Sequence, residues 1–257
     1  MPERGEREAR VAADYNAEMI EQVARYGRVR DAAVFVGNPE DIVPGTFGPS
    51  LPGIREWTEA NFDFSGYVTG FDPRALGDRS QVRRRLGYHD DERLCVVSVG
   101  GSAVGVDLLR RVANAFPALR RAVDGLRMLV VTGPRIDPGD LPVVEGVEYR
   151  PYVHKLYRHL AVADVAVVHG GLTTTMELTA CKVPFLYVPL RQHFEQNFHV
   201  RARLEQYRAG TFLPYEEVLE DNLAALIPQV LGQLVDYADV ETDGAARAAA
   251  TIGALLS

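Results

Sequence analysis

Residues 163–206, ADVAVVHGGLTTTMELTACKVPFLYVPLRQHFEQNFHVRARLEQ, constrain this chain more than any other stretch. An apolar, β-branched run at 165–168 stops at His169-Gly170-Gly171. Three threonines and a helical pattern follow, and a second apolar run at 183–188 is closed by Pro189. This spells strand, tight turn, helix, strand, with polar groups gathered where the first strand ends. In an open parallel sheet, ligands bind in the crevice outside the carboxyl ends of the strands. Residues 169–175 and the segment after Pro189 are therefore the expected binding site.

The rest of the chain is consistent with such a sheet from about Phe71 onward. Apolar runs at 94–99, 128–132, 147–149, 165–168 and 185–188 are each bounded by turn residues. Helical patterns at 104–116, 154–163 and 173–180 lie between them, and further helices are expected at 195–207, 215–234 and 244–256. Alternating strand and helix predicts an α/β fold, a Rossmann-like parallel sheet with helices on both faces. Residues 1–70 read differently. Val11, Tyr15, Met19, Val23 and Tyr26 recur at helical spacing up to Gly27, and 32–36 predicts a single buried strand. Residues 37–53 carry Pro39, Pro44, Pro49 and Pro52 and read as a linker. A helix, a strand and a linker cannot bury a core alone. The expected division is thus 1–70, the remnant of another domain with its linker, and 71–257, the binding domain.

Composition narrows the partners. A net charge of -7 argues against nucleic acid, which calls for a basic face. It leaves room for a small anionic ligand held by oriented amides. The two cysteines, Cys95 and Cys181, have no metal-ligand spacing and suit reduced thiols in the cytoplasm. The first ten residues, MPERGEREAR, lack the apolar core of a signal peptide, and no apolar run approaches the roughly 20 residues of a transmembrane segment.

Three clusters carry chemistry. In VSVGGSAVG, Gly100, Gly101 and Ser102 lie between a strand and a helix start, where free N–H groups and the helix dipole suit a phosphate. Glycines at such turns also have purely steric uses, and the pattern is not GxGxxG. His169, Gly170, Gly171 and Thr174 repeat that arrangement at a second helix, with Glu177 one turn later as a carboxylate able to accept both hydroxyls of a ribose. Thr174 and Glu177 also spell a capping box. After Pro189, Glu195, Gln196 and Asn197 supply donors and acceptors suited to sugar hydroxyls, or simply a polar helix start.

The segment 168–197 resembles the nucleotide-sugar signature of two-domain glycosyltransferases of the GT-B fold. These include the peptidoglycan N-acetylglucosaminyltransferases, the UDP-glycosyltransferases and the antibiotic glycosyltransferases. The matching elements are the small-residue turn, the Thr, Glu177 eight positions after His169, Val183-Pro184, Pro189 and Gln196-Asn197, with Gly100-Gly101-Ser102 resembling the first glycine loop. The resemblance runs from about Tyr67 to the end and implies the C-terminal, donor-binding half of a GT-B fold. It assigns Gly101 and Ser102 to the diphosphate, and His169, Gly171 and Thr174 to the second phosphate helix. Glu177 falls to the ribose, Gln196 to the donor sugar, and Tyr152 and Val153 to the base, with Arg74 aligned to a phosphate-facing arginine. Two departures stand out. Lys182 replaces the usual glycine before Val-Pro, and the acceptor half that usually supplies the catalytic base is absent, so no catalytic residue is assigned.

The function implied is transfer of a sugar, with inversion, from a nucleoside diphosphate to an acceptor hydroxyl. Uridine is the commonest base among relatives. No Asp-x-Asp occurs, so neither metal nor other cofactor is expected. The alternatives are a non-catalytic nucleotide-sugar-binding subunit that needs a partner chain with the acceptor site, and a nucleotide-sugar epimerase.

Overall fold

The computed structural model describes residues 6–101, 103–191 and 193–256. Along the chain come α1 (Glu6–Arg25), β1 (Val34–Phe35), α2 (Ile54–Asn61) and β2 (Asp63–Phe64). Next are α3 (Arg79–Arg85), β3 (Arg93–Ser98), α4 (Val106–Ala122), β4 (Leu126–Val131), β5 (Val147–Arg150) and α5 (Leu156–Ala161). Then β6 (Val165–His169), α6 (Leu172–Ala180) and β7 (Phe185–Val188) are followed by a π-helical turn (Glu195–Val200) and α7 (Arg201–Gln206). The last elements are β8 (Thr211–Phe212), α8 (Glu220–Val230) and α9 (Gly244–Ala254). These fall into two compact units, Phe71–Val240 and Met1–Gly70 with Glu241–Ser257.

Within Phe71–Val240 the strands form a parallel sheet in the order β5-β4-β3-β6-β7-β8. From β3 the chain runs outward through β4 to β5, then returns to place β6 on the other flank of β3. The order reverses between β3 and β6, which opens a crevice at their carboxyl ends. The central strands β3, β4, β6 and β7 are largely apolar because both faces are covered. Cys95, Val97, Met128, Val130, Val165, Val167, Leu186 and Val188 share a core with Leu108, Val112 and Phe116 of α4 and with Leu223 and Ile227 of α8. On the opposite face Leu129 and Val131 pack with Val153 and Leu156 at the start of α5.

Several elements differ from the sequence expectation. The helix expected at 104–116 continues through Pro117 to Ala122, because Phe116 and Leu119 are both fully buried and hold the following turn in place. The missing proline N–H costs one hydrogen bond, which that packing offsets. β8 is too short to show a period, and Leu213 N–H bonds the Tyr187 carbonyl at 3.0 Å beside it. The helix expected at 195–207 starts as a π turn.

At the amino edge of the sheet, α3 is tied down by charge. Asp164, immediately before β6, accepts hydrogen bonds from the Leu94 main chain (2.7 Å), Arg79 (2.9 Å) and Arg83 (3.1 Å). Arg83 is only 2% exposed and Asp164 only 6%. Arg83 also donates to the carbonyls of Val162, His89 and Glu92. Burial works to raise the Asp164 carboxyl, but the Leu94 N–H and the two guanidiniums outweigh it, so its pKa is lowered.

The other unit corrects the reading of residues 37–53 as a linker and of 32–36 as one buried strand. β1 is two residues long and half-buried, and β2 pairs with it in parallel. The proline-rich segment folds against α1: Asn16 donates to the Phe47 carbonyl at 2.6 Å, and Ile42 and Val43 are buried. Phe47, Trp57 and Phe62 form a run of ring contacts at 5.3 and 6.0 Å. α9, expected from the sequence to close the binding domain, packs here instead. Gly244 N–H bonds the Tyr67 carbonyl at 3.2 Å, and a Cβ on Gly244 would meet that carbonyl at 2.7 Å. An alanine-rich helix carries no pattern that selects one surface over another.

Candidate functional site

The carboxyl ends of β3, β6 and β7 converge on a cleft of about 230 Å³ lined by Ser98, Val99, Gly100, Val104, His169, Gly171, Thr174, Leu190, His193 and Gln196. It lies at the point where the strand order reverses. No Lys or Arg is among these residues, so the polarity of the cleft comes from amides, hydroxyls and imidazoles.

The turn after β3 has Gly100 at φ +77. Its carbonyl lies so close to Gly133 that a Cβ there would approach it to 2.2 Å, which locks the turns after β3 and β4 together. Gly101 is exposed with open space around it and does not line the cleft. Ser102 lies outside the described residues.

At the second turn, Gly171 is the N-cap of α6 and supplies no side-chain cap. The expected Thr174–Glu177 capping box is therefore not formed: Thr174 sits inside the first turn, and the N–H groups of Thr173 and Thr174 have no intrahelical acceptor. Thr175 turns inward, its hydroxyl donating to the carbonyls of Gly171 (3.0 Å) and Leu172 (3.1 Å). Gly170 fits between Pro189 and Gln196, 3.4 Å from a side-chain atom of each at its Cβ position.

His169 is 5% exposed, and its Nε2 has no partner among the described residues. Burial pulls its pKa down to about 4, a hydrogen bond to the Val99 main chain pushes the other way, and His193 lowers it further. The ring is neutral near pH 7. Glu177 is half-buried rather than exposed in the crevice, and it is not part of the cleft lining. Burial lifts its carboxyl to about 7.

The loop after β7 is a hydrogen-bonded unit. Gln196 is 9% exposed and its Oε1 accepts the Leu190 N–H at 2.9 Å. The Asn197 side-chain amide donates to the carbonyls of Leu190 (2.6 Å) and His193 (2.9 Å). Asn197 thus holds the loop, Glu195 is exposed, and only Gln196 of these three lines the cleft. Tyr152 is 70% exposed, Val153 is buried in the core, and neither borders the cleft. Arg74 is paired with Asp72 in its own turn at 3.1 Å. Ser98, Val99 and Val104 are lining residues that the sequence reading did not single out, and Leu190 and His193 lie in the segment after Pro189 that it placed at the site without giving either a role. Their only signal is position at or just beyond a strand end.

Lys182 resolves the departure noted in the sequence. It adopts φ +54, the left-handed conformation usual for glycine there. Val183 N–H bonds the Leu178 carbonyl (3.0 Å) and Lys182 N–H that of Thr179 (3.1 Å), which is a Schellman cap. The ammonium reaches the Tyr237 carbonyl and Asp239 (2.7 Å).

The family model described as glycosyltransferase family 28 C-terminal domain matches residues 95–246. The chain belongs to this family. Similar proteins include an uncharacterized glycosyltransferase of Methanopyrus kandleri, 30% identical over 159 residues (62% of this chain, 44% of the relative). Another is a UDP-N-acetylglucosamine–N-acetylmuramyl-(pentapeptide) pyrophosphoryl-undecaprenol N-acetylglucosamine transferase of Mycolicibacterium vanbaalenii, 36% identical over 130 residues (48% and 30%). The chain thus spans less than half the length of these relatives. Among solved structures, the calicheamicin glycosyltransferase CalG4 matches with TM-score 0.53 at 17% identity, covering 83% of this chain and 50% of that one. A UDP-GlcNAc 2-epimerase of Methanocaldococcus jannaschii matches with TM-score 0.55 at 12% identity (77% and 56%). These likenesses establish the fold, the C-terminal half of a GT-B glycosyltransferase. Among the described residues no helix is long and apolar enough to cross a membrane.

Proposed function

We propose that the family 28 domain of this chain holds a nucleoside diphosphate sugar, uridine-linked, in the crevice between β3 and β6, and serves as the donor half of a glycosyltransferase. The observation that carries this reading is the cleft itself: two glycine turns and the uncapped start of α6 meet where the strand order reverses, with no Lys or Arg among the described lining residues. Main-chain amides there suit a diphosphate. Glu177 lies one turn beyond, toward the ribose, and the base extends toward Tyr152 and Val153. Uridine is supported by the relatives named as UDP-N-acetylglucosamine transferases. The free thiols Cys95 and Cys181 suit a reducing, cytoplasmic setting.

In the reaction the acceptor hydroxyl oxygen bonds the anomeric carbon as the bond from that carbon to the terminal phosphoryl oxygen breaks. The electron pair leaves with the diphosphate, and the hydroxyl proton passes to a base outside residues 71–240. The chain's part is to stabilise the departing charge with preorganised amides, without a metal ion. Titration calorimetry with UDP, UDP-N-acetylglucosamine and ADP tests the reading. Micromolar binding of the uridine ligands is expected, and no heat with any of them overturns it.

A second reading, a nucleotide-sugar-binding subunit active only with a partner that brings the acceptor site, is favoured by α1. Val11, Tyr15 and Met19 form an apolar stripe on that helix that stays exposed. Release of UDP from UDP-N-acetylglucosamine by the chain plus acceptor alone supports the transferase. Release only with a partner chain supports the subunit, and an epimerised sugar without acceptor points to an isomerase.

A further inference from the structure

His193 stands outside every assignment made so far. It is exposed, and it lines the cleft together with His169. Its Nδ1 accepts the Gln196 main-chain N–H at 3.4 Å, which only an unprotonated Nδ1 can do. In the neutral ring the proton then sits on Nε2, so the far end of the imidazole is a hydrogen-bond donor. Hydrogen bonds tie down the described residues of the loop that carries it. His193 N–H bonds the Leu190 carbonyl (3.1 Å), Asn197 N–H bonds the His193 carbonyl (3.0 Å), and the Gln196 and Asn197 side chains close the remaining groups of Leu190 and His193. The basic neighbour is turned elsewhere: Arg191 pairs with Glu216 at 2.9 Å and lies over the Tyr215 ring. Among the described lining residues, His193 is therefore the one side chain whose ring N–H donor is both exposed and without a protein acceptor.

Its place in the sheet says which part of a ligand it meets. With the base placed toward Tyr152 and Val153 beyond β5, as in the donor-site reading, a diphosphate spanning the turns after β3 and β6 has its terminal phosphoryl on the side of β7, the strand that leads into His193. We propose that His193 is a further binding residue of the donor cleft, donating from Nε2 to the terminal phosphoryl group of a nucleoside diphosphate. This rests on the donor-site reading above and adds to it a side-chain donor in a cleft otherwise built of amides.

Two substitutions separate this role from a merely structural one. In His193→Asn the amide oxygen takes the place of Nδ1 and keeps the bond from Gln196, but nothing reaches the Nε2 position. In His193→Gln the amide nitrogen occupies that position. Binding of UDP and UMP to the full chain is measured by calorimetry for wild type and both variants. The expected result is a loss of about tenfold in UDP affinity for the Asn variant, at most threefold for the Gln variant, and unchanged UMP affinity in both. Wild-type UDP affinity in the Asn variant overturns the proposal, as does an equal loss for UMP or a Gln variant weaker than Asn. Absence of UDP binding to the wild type removes the donor-site reading and this residue's role together.

Discussion

The two edges of the parallel sheet are built from the same strands and treat their polar groups in opposite ways. At the amino edge, between β3 and β6, each oxygen of Asp164 is matched by a donor, and Arg83 is surrounded by carbonyls although almost wholly buried. At the carboxyl edge, α6 starts without a side-chain cap, His169 Nε2 has no partner among the described residues, and half-buried Glu177 is held near neutrality by burial. A buried polar group without a partner costs on the order of 1–3 kcal/mol. Both edges carry such a group, His169 Nε2 and Arg83 Nε, but only His169 lines an open cleft. The difference marks which edge is structural and which is left to be completed by a bound molecule.

The largest effect is expected from breaking the amino edge. Asp164→Ala leaves Arg83 buried without its counter-charge and should cost about 3–5 kcal/mol in urea denaturation. Nucleotide affinity of the folded fraction should stay as in wild type; a small loss of stability would show the network to be dispensable.

Glu177→Gln is the converse experiment. Under the donor-site reading it removes a charged acceptor, so UDP affinity should fall by about 1.5–3 kcal/mol. Because burial raises the carboxyl to about 7, wild-type affinity should improve as pH rises through 7, and the variant should lose that dependence. The sign for stability is opposite. Between its ordinary value of 4.5 and about 7 the folded state binds this proton more tightly than the unfolded state, so stability falls as pH rises through that window. The Gln variant should therefore gain in Tm over wild type at pH 8 and show little gain at pH 4. Equal Tm values at both pH values would place Glu177 in water.

Lys182 belongs to the amino edge, at the end of α6 that leads into β7. Lys182→Gly relieves a left-handed conformation worth roughly 1–2 kcal/mol and loses an exposed ion pair worth about 0–1 kcal/mol. A net gain of about 0.5–1 kcal/mol by chemical denaturation is expected. Lys182→Ala, which keeps the strain and loses the tether, should be less stable than either.

The smallest effect sharpens the carboxyl edge. Gly171→Ser supplies the missing cap to α6 and should stabilise the free protein by a few tenths of a kcal/mol. By occupying amides meant for the ligand it should weaken UDP binding several-fold, and a variant that binds UDP as wild type does would show those amides to be unused.

What the sequence alone determined is local. The apolar runs at 94–99, 128–132, 165–168 and 185–188 became β3, β4, β6 and β7, because a fully buried strand needs uninterrupted apolar residues and turn residues to end it. The clustering of polar residues after β6 and β7 was equally visible, since it is written in consecutive positions. The tertiary structure decided what is non-local. Ser98, Gly171 and His193 meet only because β6 returns beside β3 and β7 follows it, an order that no apolar run encodes. The same holds for α9 packing on Tyr67, for the proline-rich segment folding against α1, and for the neutral state of His169, which follows from burial. Periodicity fixes the face a residue presents, and strand order fixes which faces come together.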